Sequence, residues 1–164
     1  MHKPQVLILM GSENDLPMMD EATKVLTEFG IAAERHVASA HRTPEKVRDL
    51  VLNAESRGIS VIIAGAGFAA HLAGVVAAHT TLPVIGVPLD SSPLKGLDAL
   101  LATVQMPGGI PVASMAIGKA GAKNAGLFAA SIIAVADKAV REKLKQYRKD
   151  MAEKIEQQDK NISA

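Results

Sequence analysis

The sequence predicts one doubly wound α/β domain, in which helices cover both faces of a parallel sheet. Short apolar runs alternate with longer helix-like stretches from one end of the chain to the other, which is the pattern of parallel strands joined by crossover helices. The chain has 164 residues, about the length of one average domain, and 48% of them are apolar, which is enough for a packed core. No internal repeat, linker or low-complexity segment divides residues 1–164.

Five segments have the composition of buried strands, because each is rich in Val, Ile or Ala and is followed by Gly, Ser or Pro. They are residues 5–10, 32–37, 61–64, 84–87 and 112–116. Between them we predict helices at residues 16–29, 44–56, 69–78, 96–105 and 122–136. Gly30 ends the first helix and Gly58 follows the second, as C-cap glycines often do.

A sixth helix, at about residues 137–157, carries its apolar side chains on a single stripe. The stripe consists of Val140, Leu144, Tyr147, Met151 and Ile155. Such a helix can pack against its own domain or lie across a neighbouring subunit, and we expect the polar tail, residues 158–164, to be frayed. Because residues 125–136 are apolar on nearly all sides and need cover on more than one face, we expect a homo-oligomer.

Composition and charge argue against several classes of function. The 18 basic and 17 acidic residues leave a net charge of +1, so no net field holds a nucleic acid or an anionic membrane. The aromatic content of 2% argues against a base-stacking platform for single strands. The chain has no Cys, no secretory-signal pattern in its first ten residues and no apolar stretch of roughly 18 residues. We therefore expect a cytoplasmic protein that binds neither nucleic acid nor membrane.

The loops after the first three strands are the places where a ligand is expected, because an open parallel sheet binds ligands beyond the carboxyl ends of its strands. The first loop is Gly11-Ser12-Glu13-Asn14-Asp15, and Leu16-Pro17 opens the next helix. Glycine permits close approach, and a serine hydroxyl with helix N-terminal amides favours an anion. The loop predicts a phosphate-binding site, although Ser12, Asn14 or Asp15 can equally be a simple N-cap.

The second loop, Ser39-Ala40-His41-Arg42-Thr43-Pro44, predicts another helix N-terminus, with Thr43 as N-cap and Pro44 as the first helical residue. Arg42 can make a bidentate contact with phosphate oxygens, and His41 can carry a proton near neutral pH. In the third loop, Gly65 to His71, the glycines permit close approach to a flat ligand. We expect His71 one turn into the next helix, where a lone histidine is more often structural than catalytic.

Three common motifs are absent or weak. Gly118-Lys119 is not a P-loop, because Ala113 and Ala120 stand where a glycine and a hydroxyl residue are needed. Residues 65–70 fit the loose dinucleotide-binding pattern, with Asp90 as the acidic residue, but they lie outside the first strand-helix-strand unit. The histidines lack metal-ligand spacing and no cysteine assists them, so we expect no metal site.

Six ordered motifs together resemble one enzyme family. They are Gly11-Ser12-x-x-Asp15, Ser39-Ala40-His41-Arg42-Thr43-Pro44, Gly65-Ala66-Gly67, Ala69-Ala70-His71-Leu72, Gln105-Met106-Pro107 with Gly109-x-Pro111-Val112, and Ala116-Ile117-Gly118-Lys119-Ala120-Gly121. Together, from residue 6 to about residue 136, they resemble the N5-carboxyaminoimidazole ribonucleotide mutases of purine biosynthesis.

The resemblance implies a flavodoxin-like three-layer α/β/α subunit with a central parallel sheet and an extra C-terminal helix. It also implies that the subunits assemble as an octamer and that the enzyme needs no metal or other cofactor. It implies an isomerisation in which a carboxylate moves from the exocyclic nitrogen of a ribonucleotide to a carbon of its imidazole ring, through release and recapture of carbon dioxide. By motif, His41 is the general acid and base. The residues implied for ribose and phosphate are Ser12, Asp15, Ser39 and Arg42, and those for the carbon dioxide pocket are Gly65, Ala66, Gly67 and His71.

The chain departs from the family pattern at Asn14, Phe68 and Ala73, where Ser, Gly and Pro are usual. Three alternatives remain at this point. A related carboxylase that takes free carbon dioxide would use much the same loops, although the intact run from His41 to Pro44 favours the mutase. A nucleotide-binding module would have no need of His41, and a nicotinamide-dependent oxidoreductase would need the loose glycine pattern to form.

Overall fold

A fully parallel sheet of five strands lies at the centre of the computed structural model, which describes residues 5–163. The strand order is β2-β1-β3-β4-β5, the flavodoxin-like order, so the predicted fold class is confirmed. The strands are β1 (Val6–Met10), β2 (Ala33–Val37), β3 (Val61–Ala66), β4 (Val84–Pro88) and β5 (Ala113–Ser114). β5 is shorter than the predicted segment 112–116, because it pairs with β4 only at Ala113 and Ser114.

β1 shows why these strands are continuous apolar runs. All five of its residues are buried, and alternate side chains enter different cores. Val6, Ile8 and Met10 pack in one core, and Leu7 and Leu9 pack in the other. A strand with a helix layer on each face has no polar side, since successive side chains point to opposite faces.

Six helices surround the sheet in the part of the chain that the structure describes. They are α1 (Leu16–Phe29), α2 (Pro44–Leu52), α3 (Leu72–Ala77), α4 (Leu97–Val104), α5 (Lys119–Ile133) and α6 (Lys138–Ser163). Helices α1 and α5 supply one core with small residues such as Ala22 and Ala125, and helices α2 and α3 supply the other with Val47 and Val76. The three-layer arrangement follows from these two cores.

Of the helices between strands and the one after β5, three have bounds that differ from the predicted ones by three or four residues, whereas α4 differs by one residue at each end. Helix α2 ends at Leu52, and a separate 3-10 turn, Glu55–Arg57, ends at Gly58 with a left-handed φ of 95°. Helix α3 begins at Leu72 instead of residue 69, after a break at Phe68. Helix α5 begins and ends three residues earlier than predicted. Asp137 accepts hydrogen bonds from the amides of Ala139 and Val140 in the next helix, which separates the two helices.

Helix α6 packs on its own domain over its first turns only. Val140 is buried, the Phe29 and Tyr147 rings are 5.8 Å apart, and Lys143 Nζ donates to the Phe29 carbonyl at 2.9 Å. Met151 and Ile155 are exposed. The helix continues to Ser163, beyond the predicted residue 157, so the expected frayed tail is helical up to that point, and residue 164 lies outside the described range. Within that range, every helix is too short or too polar to cross a membrane.

The start of α5 lies against the chain that leaves β5. At Gly121 a Cβ would overlap the carbonyl oxygen of Ala116. We expect Gly121→Ala to lower the free energy of unfolding by about 2 kcal/mol or more, because the backbone must move to make room. Helix propensity alone predicts the opposite sign, a gain of about 1 kcal/mol. Urea unfolding measures the difference.

The matched control is Gly108→Ala, because nothing lies within 4 Å of a Cβ at that position. It makes the same chemical change in open space, and we expect a change of less than about 0.5 kcal/mol. A Gly121→Ala variant as stable as the native chain would contradict the close approach.

Candidate active site

A cavity of about 610 Å³ opens at the carboxyl ends of the strands, in the size range of small-molecule sites. It lies beside β1 and β3, the switch point of this strand order, where the crossovers diverge. Its walls combine the loops after β1, β2, β3 and β4. The lining residues are Gly11, Ser12, Asn14, Asp15, Ser39, Ala40, His41, Arg42, Ala66, Gly67, Phe68, Ala69, His71, Leu72 and Ser91.

The loop after β1 forms a 3-10 turn that Ser12 and Asp15 hold closed. The Ser12 amide donates to Asp15 Oδ2 at 2.9 Å, and the Asn14 amide donates to Ser12 Oγ at 3.3 Å. This is a capping box, so the N-cap interpretation of Ser12 is confirmed for the turn. Both side chains nevertheless line the cavity.

Asp15 is the buried carboxylate of the cavity, with 4% of the residue exposed. Burial raises its pKa above the ordinary value of 3.8, because removal of water disfavours the charged form. The Ser12 amide, the Ser91 hydroxyl and the Arg42 guanidinium oppose this effect and lower the pKa. A carboxylate with these neighbours can accept hydrogen bonds from the hydroxyls of a bound sugar.

The loop after β2 is closed by Ser39 and Thr43. The Ser39 amide donates to Thr43 Oγ1 at 2.9 Å, and Thr43 Oγ1 donates to the Ser39 carbonyl at 3.2 Å. Thr43 is the N-cap residue of α2 and Pro44 follows it, as predicted. Its side chain binds back to the loop instead of capping the helix amides, so it fixes the segment that carries His41 and Arg42.

Arg42 links this loop to the loop after β1. Its Nη2 donates to the Gly11 carbonyl at 2.7 Å, and its Nε donates to Ser39 Oγ at 3.4 Å. These bonds orient the guanidinium and leave further N–H groups for a ligand, since the group has five donors. Bonds within the protein therefore hold Arg42 at the cavity.

His41 and His71 form a hydrogen-bonded pair. His41 Nε2 lies 2.8 Å from His71 Nδ1, and the rings meet edge to face at 74°. The predicted place of His71 inside a helix is wrong: it is the N-cap residue before α3, in the loop that lines the cavity. One nitrogen of the pair must carry a hydrogen while the other presents a lone pair, so this arrangement can hold and pass a single proton.

The glycine-rich segment after β3 divides between the core and the cavity. Ala66 and Gly67 line the cavity, whereas Gly65 lies within β3 opposite Met10 and is not among the lining residues. A Cβ at Gly65 would overlap the Met19 sulfur, so the residue lets α1 pack closely on the sheet. The first glycine of the dinucleotide pattern thus lies in a strand and not in the turn that the motif requires.

Sequence reasoning missed Ser91, which reaches the cavity from the loop after β4. A serine just beyond a predicted parallel strand was the available signal, because β4 ends at the same edge as its neighbours.

Of the three departures from the family pattern, Asn14 and Phe68 line the cavity, and Ala73 is buried in α3. Within residues 5–163, no three His, Asp or Glu side chains converge as metal ligands would.

The raised pKa of Asp15 predicts that its charge weakens the folded state at neutral pH. The native state takes up this proton at a higher pH than the unfolded chain does, so the penalty is present above the folded pKa and disappears as pH falls through it. We expect Asp15→Asn to melt a few degrees above the native chain at pH 7.5. The gap should close as the pH approaches 4, measured by thermal unfolding.

Asp49→Asn is the matched control, because the Asp49 side chain is 70% exposed on α2. It should leave the melting temperature unchanged at both pH values. An Asp15→Asn variant that melts below the native chain at pH 7.5 would show that the hydrogen bonds of Asp15 outweigh its desolvation.

Comparison with known proteins gives consistent matches over nearly the whole chain. The family model described as AIR carboxylase matches residues 5–154. The N5-carboxyaminoimidazole ribonucleotide mutase of Pyrococcus horikoshii is 54% identical over 160 residues, which is 98% of this chain and 89% of the relative. The mutase of Bacillus subtilis is 51% identical over 153 residues, which is 93% of this chain and 94% of the relative. The crystal structure of Treponema denticola PurE has a TM-score of 0.89 at 31% identity and covers 98% of this chain and 99% of its own.

Proposed function

The chain belongs to the AIR carboxylase family, and from this premise we propose how its cavity works. The activity is that of an N5-carboxyaminoimidazole ribonucleotide mutase in purine biosynthesis, an isomerase that transfers a carboxylate within its substrate. The observation that carries this conclusion is the name shared by relatives that are 51–54% identical over most of both chains.

The ribose and phosphate of the substrate are assigned to the loops after β1 and β2. Arg42 supplies N–H donors that match phosphate oxygens, and Ser12 and Ser39 lie on either side of it in the same cavity. The buried Asp15 carboxylate accepts hydrogen bonds from the ribose hydroxyls. We assign the imidazole base to the part of the cavity where His41 and His71 meet.

His41 is the proposed general acid and base. The bond between the exocyclic nitrogen and the carboxylate carbon breaks, carbon dioxide leaves, and His41 donates a proton to the nitrogen that keeps the electron pair. The ring carbon then forms a bond to the carbon dioxide, and His41 takes the proton that this carbon loses. The nitrogen gains one proton and the carbon loses one, so no co-reactant is needed. The hydrogen bond to His71 holds the imidazole in place for both transfers.

The carbon dioxide must stay beside the base between the two steps, because a freed molecule would leave the aminoimidazole behind. We assign its pocket to Ala66, Gly67 and His71, which line the cavity next to His41. Gly65, which the resemblance also implied, contributes by allowing close packing beneath this wall. A carboxylase that takes free carbon dioxide is not favoured, since the relatives are named as mutases.

The homo-octamer and the cytoplasmic location implied by the resemblance are also part of the proposal. The outer face of α4 supports assembly, because Leu97, Leu101 and Val104 repeat on one side and are each about half exposed. The uncovered stripe of α6 at Met151 and Ile155 supports it as well. Light scattering should give a particle of about eight times 17.2 kDa, and a single-chain particle would overturn this part.

The reaction itself is tested with purified protein and N5-carboxyaminoimidazole ribonucleotide carrying an isotope-labelled carboxylate, without ATP or metal. NMR should show the label moving from the exocyclic nitrogen to the ring carbon. A parallel reaction with aminoimidazole ribonucleotide and bicarbonate tests the carboxylase. Efficient carboxylation without migration of the label would overturn the mutase assignment.

His41→Asn should bind the ribonucleotide with nearly native affinity and lose about 10²–10⁴-fold in kcat, because the amide cannot exchange a proton in this way. Titration calorimetry and steady-state kinetics separate the two effects. His79→Asn is the control, since His79 is exposed beyond α3 and does not line the cavity. Native turnover in His41→Asn would remove this residue from the mechanism.

Arg42→Lys should weaken substrate binding by about 10- to 100-fold. A lysine has a single ammonium group, so it cannot keep the bonds to Gly11 and Ser39 and also make a bidentate contact with the phosphate. Arg48→Lys makes the same change on an exposed part of α2 and should leave affinity unchanged. Titration with substrate gives the dissociation constant of each variant. Equal dissociation constants for Arg42→Lys and Arg48→Lys would count against the phosphate role of Arg42.

A further inference from the structure

Phe68 has a strained backbone at the wall of the cavity. In the described part of the chain, Phe68 and Lys95 are the two residues other than glycine with a positive φ, at 54° and 51°. The left-handed region is unfavourable for a side chain with a Cβ and is rare for a bulky one. Strain of this kind persists where the surroundings impose it, and it is concentrated at functional sites.

The packing of the preceding residue imposes the turn. A Cβ at Gly67 would lie 2.9 Å from Ser91 Oγ and 3.3 Å from the Leu89 carbonyl oxygen. The chain therefore leaves β3 close to the loop after β4, and the positive φ at Phe68 follows directly after this contact. Glycine would make this turn without strain.

Core packing does not offset the strain. The Phe68 residue is 56% exposed, and within residues 5–163 it belongs to neither core. Phe68 instead lines the same cavity as the His41–His71 pair. The position therefore retains a large apolar ring in a place where folding alone gains nothing from it.

We propose that the Phe68 ring stacks on the imidazole base of the bound ribonucleotide and holds it beside His41 and His71. This inference rests on the proposed function and adds a specificity-determining contact to it. The side chains assigned to ribose and phosphate are polar or charged. The other apolar side chains of the lining, Ala40, Ala66, Ala69 and Leu72, are aliphatic, so none of them is a flat partner for the base. A phenyl ring supplies that partner, because aromatic faces stack on planar heterocycles.

The test compares two ligands in titration calorimetry. Aminoimidazole ribonucleotide carries the base, and ribose 5-phosphate lacks it. Phe68→Ala should weaken binding of the ribonucleotide by about 5- to 150-fold, the usual effect of losing one stacked ring, and should leave binding of ribose 5-phosphate unchanged. Phe68→Tyr keeps a ring and should retain native affinity for both ligands.

A glycine variant at the same position separates the effect of the ring on binding from the effect of the backbone strain on stability. Phe68→Gly also removes the ring, so its ligand affinities should match those of Phe68→Ala, but it relieves the positive φ. We expect it to melt about 2–4 °C above Phe68→Ala at equal protein concentration. Lys95→Gly relieves a positive φ outside the cavity lining and should not change the ratio of the two affinities.

Two outcomes overturn the proposal. One is equal weakening of both ligands in Phe68→Ala, which would place the effect at the phosphate. The other is native affinity for both ligands together with a smaller particle in light scattering, which would make the ring a subunit contact. Migration of the labelled carboxylate in the native protein is measured separately, so failure of the proposed function is distinguished from failure of the Phe68 contact.

Discussion

The parallel pairing of β1 with both β2 and β3 is the constraint on which the site depends. Met10 pairs with Val37 on one side and with Gly65 on the other, so the three strands end within one residue of the same level. Backbone bonds continue past these ends, because the Ala38 amide donates to Met10 and the Gly11 amide donates to Gly65. Loops that are distant in sequence therefore leave the sheet side by side, and their functional side chains must meet.

Hydrogen bonds within the protein orient the polar network at this edge. Ser12 holds Asp15, Thr43 holds Ser39, and Arg42 joins the two loops through the Gly11 carbonyl. Groups that are already oriented lose little entropy when a substrate binds, so more of the binding free energy is available for the chemical step. The buried charge of Asp15, by contrast, destabilises the folded state, which is consistent with the ribose-binding role proposed for this residue.

The sequence was sufficient for the fold and for most of the site because both follow from local patterns. Apolar runs located the strands, and the rule for parallel sheets located the loops of Asp15, His41 and Arg42. The errors came from packing between distant segments. Gly65 accommodates Met19 and the start of α3 is delayed by the turn at Phe68, and neither contact is visible in the spacing of residues. Ser91 lies three residues beyond the end of β4, and its spacing from that strand alone does not indicate that it reaches the cavity.

Close packing beneath the cavity explains how two loops can hold a precise histidine pair. A Cβ at Gly65 would overlap Met19 of α1, and one at Gly86 would overlap Thr103 of α4, so the helices lie nearly against the strand backbones. Interiors packed at this density deform little. Because His41 and His71 follow different strands, their 2.8 Å separation is only as constant as the spacing between β2, β1 and β3. Gly65 and Gly86, which do not line the cavity, thus help to keep the proposed catalytic pair in place through close packing of helices on the sheet.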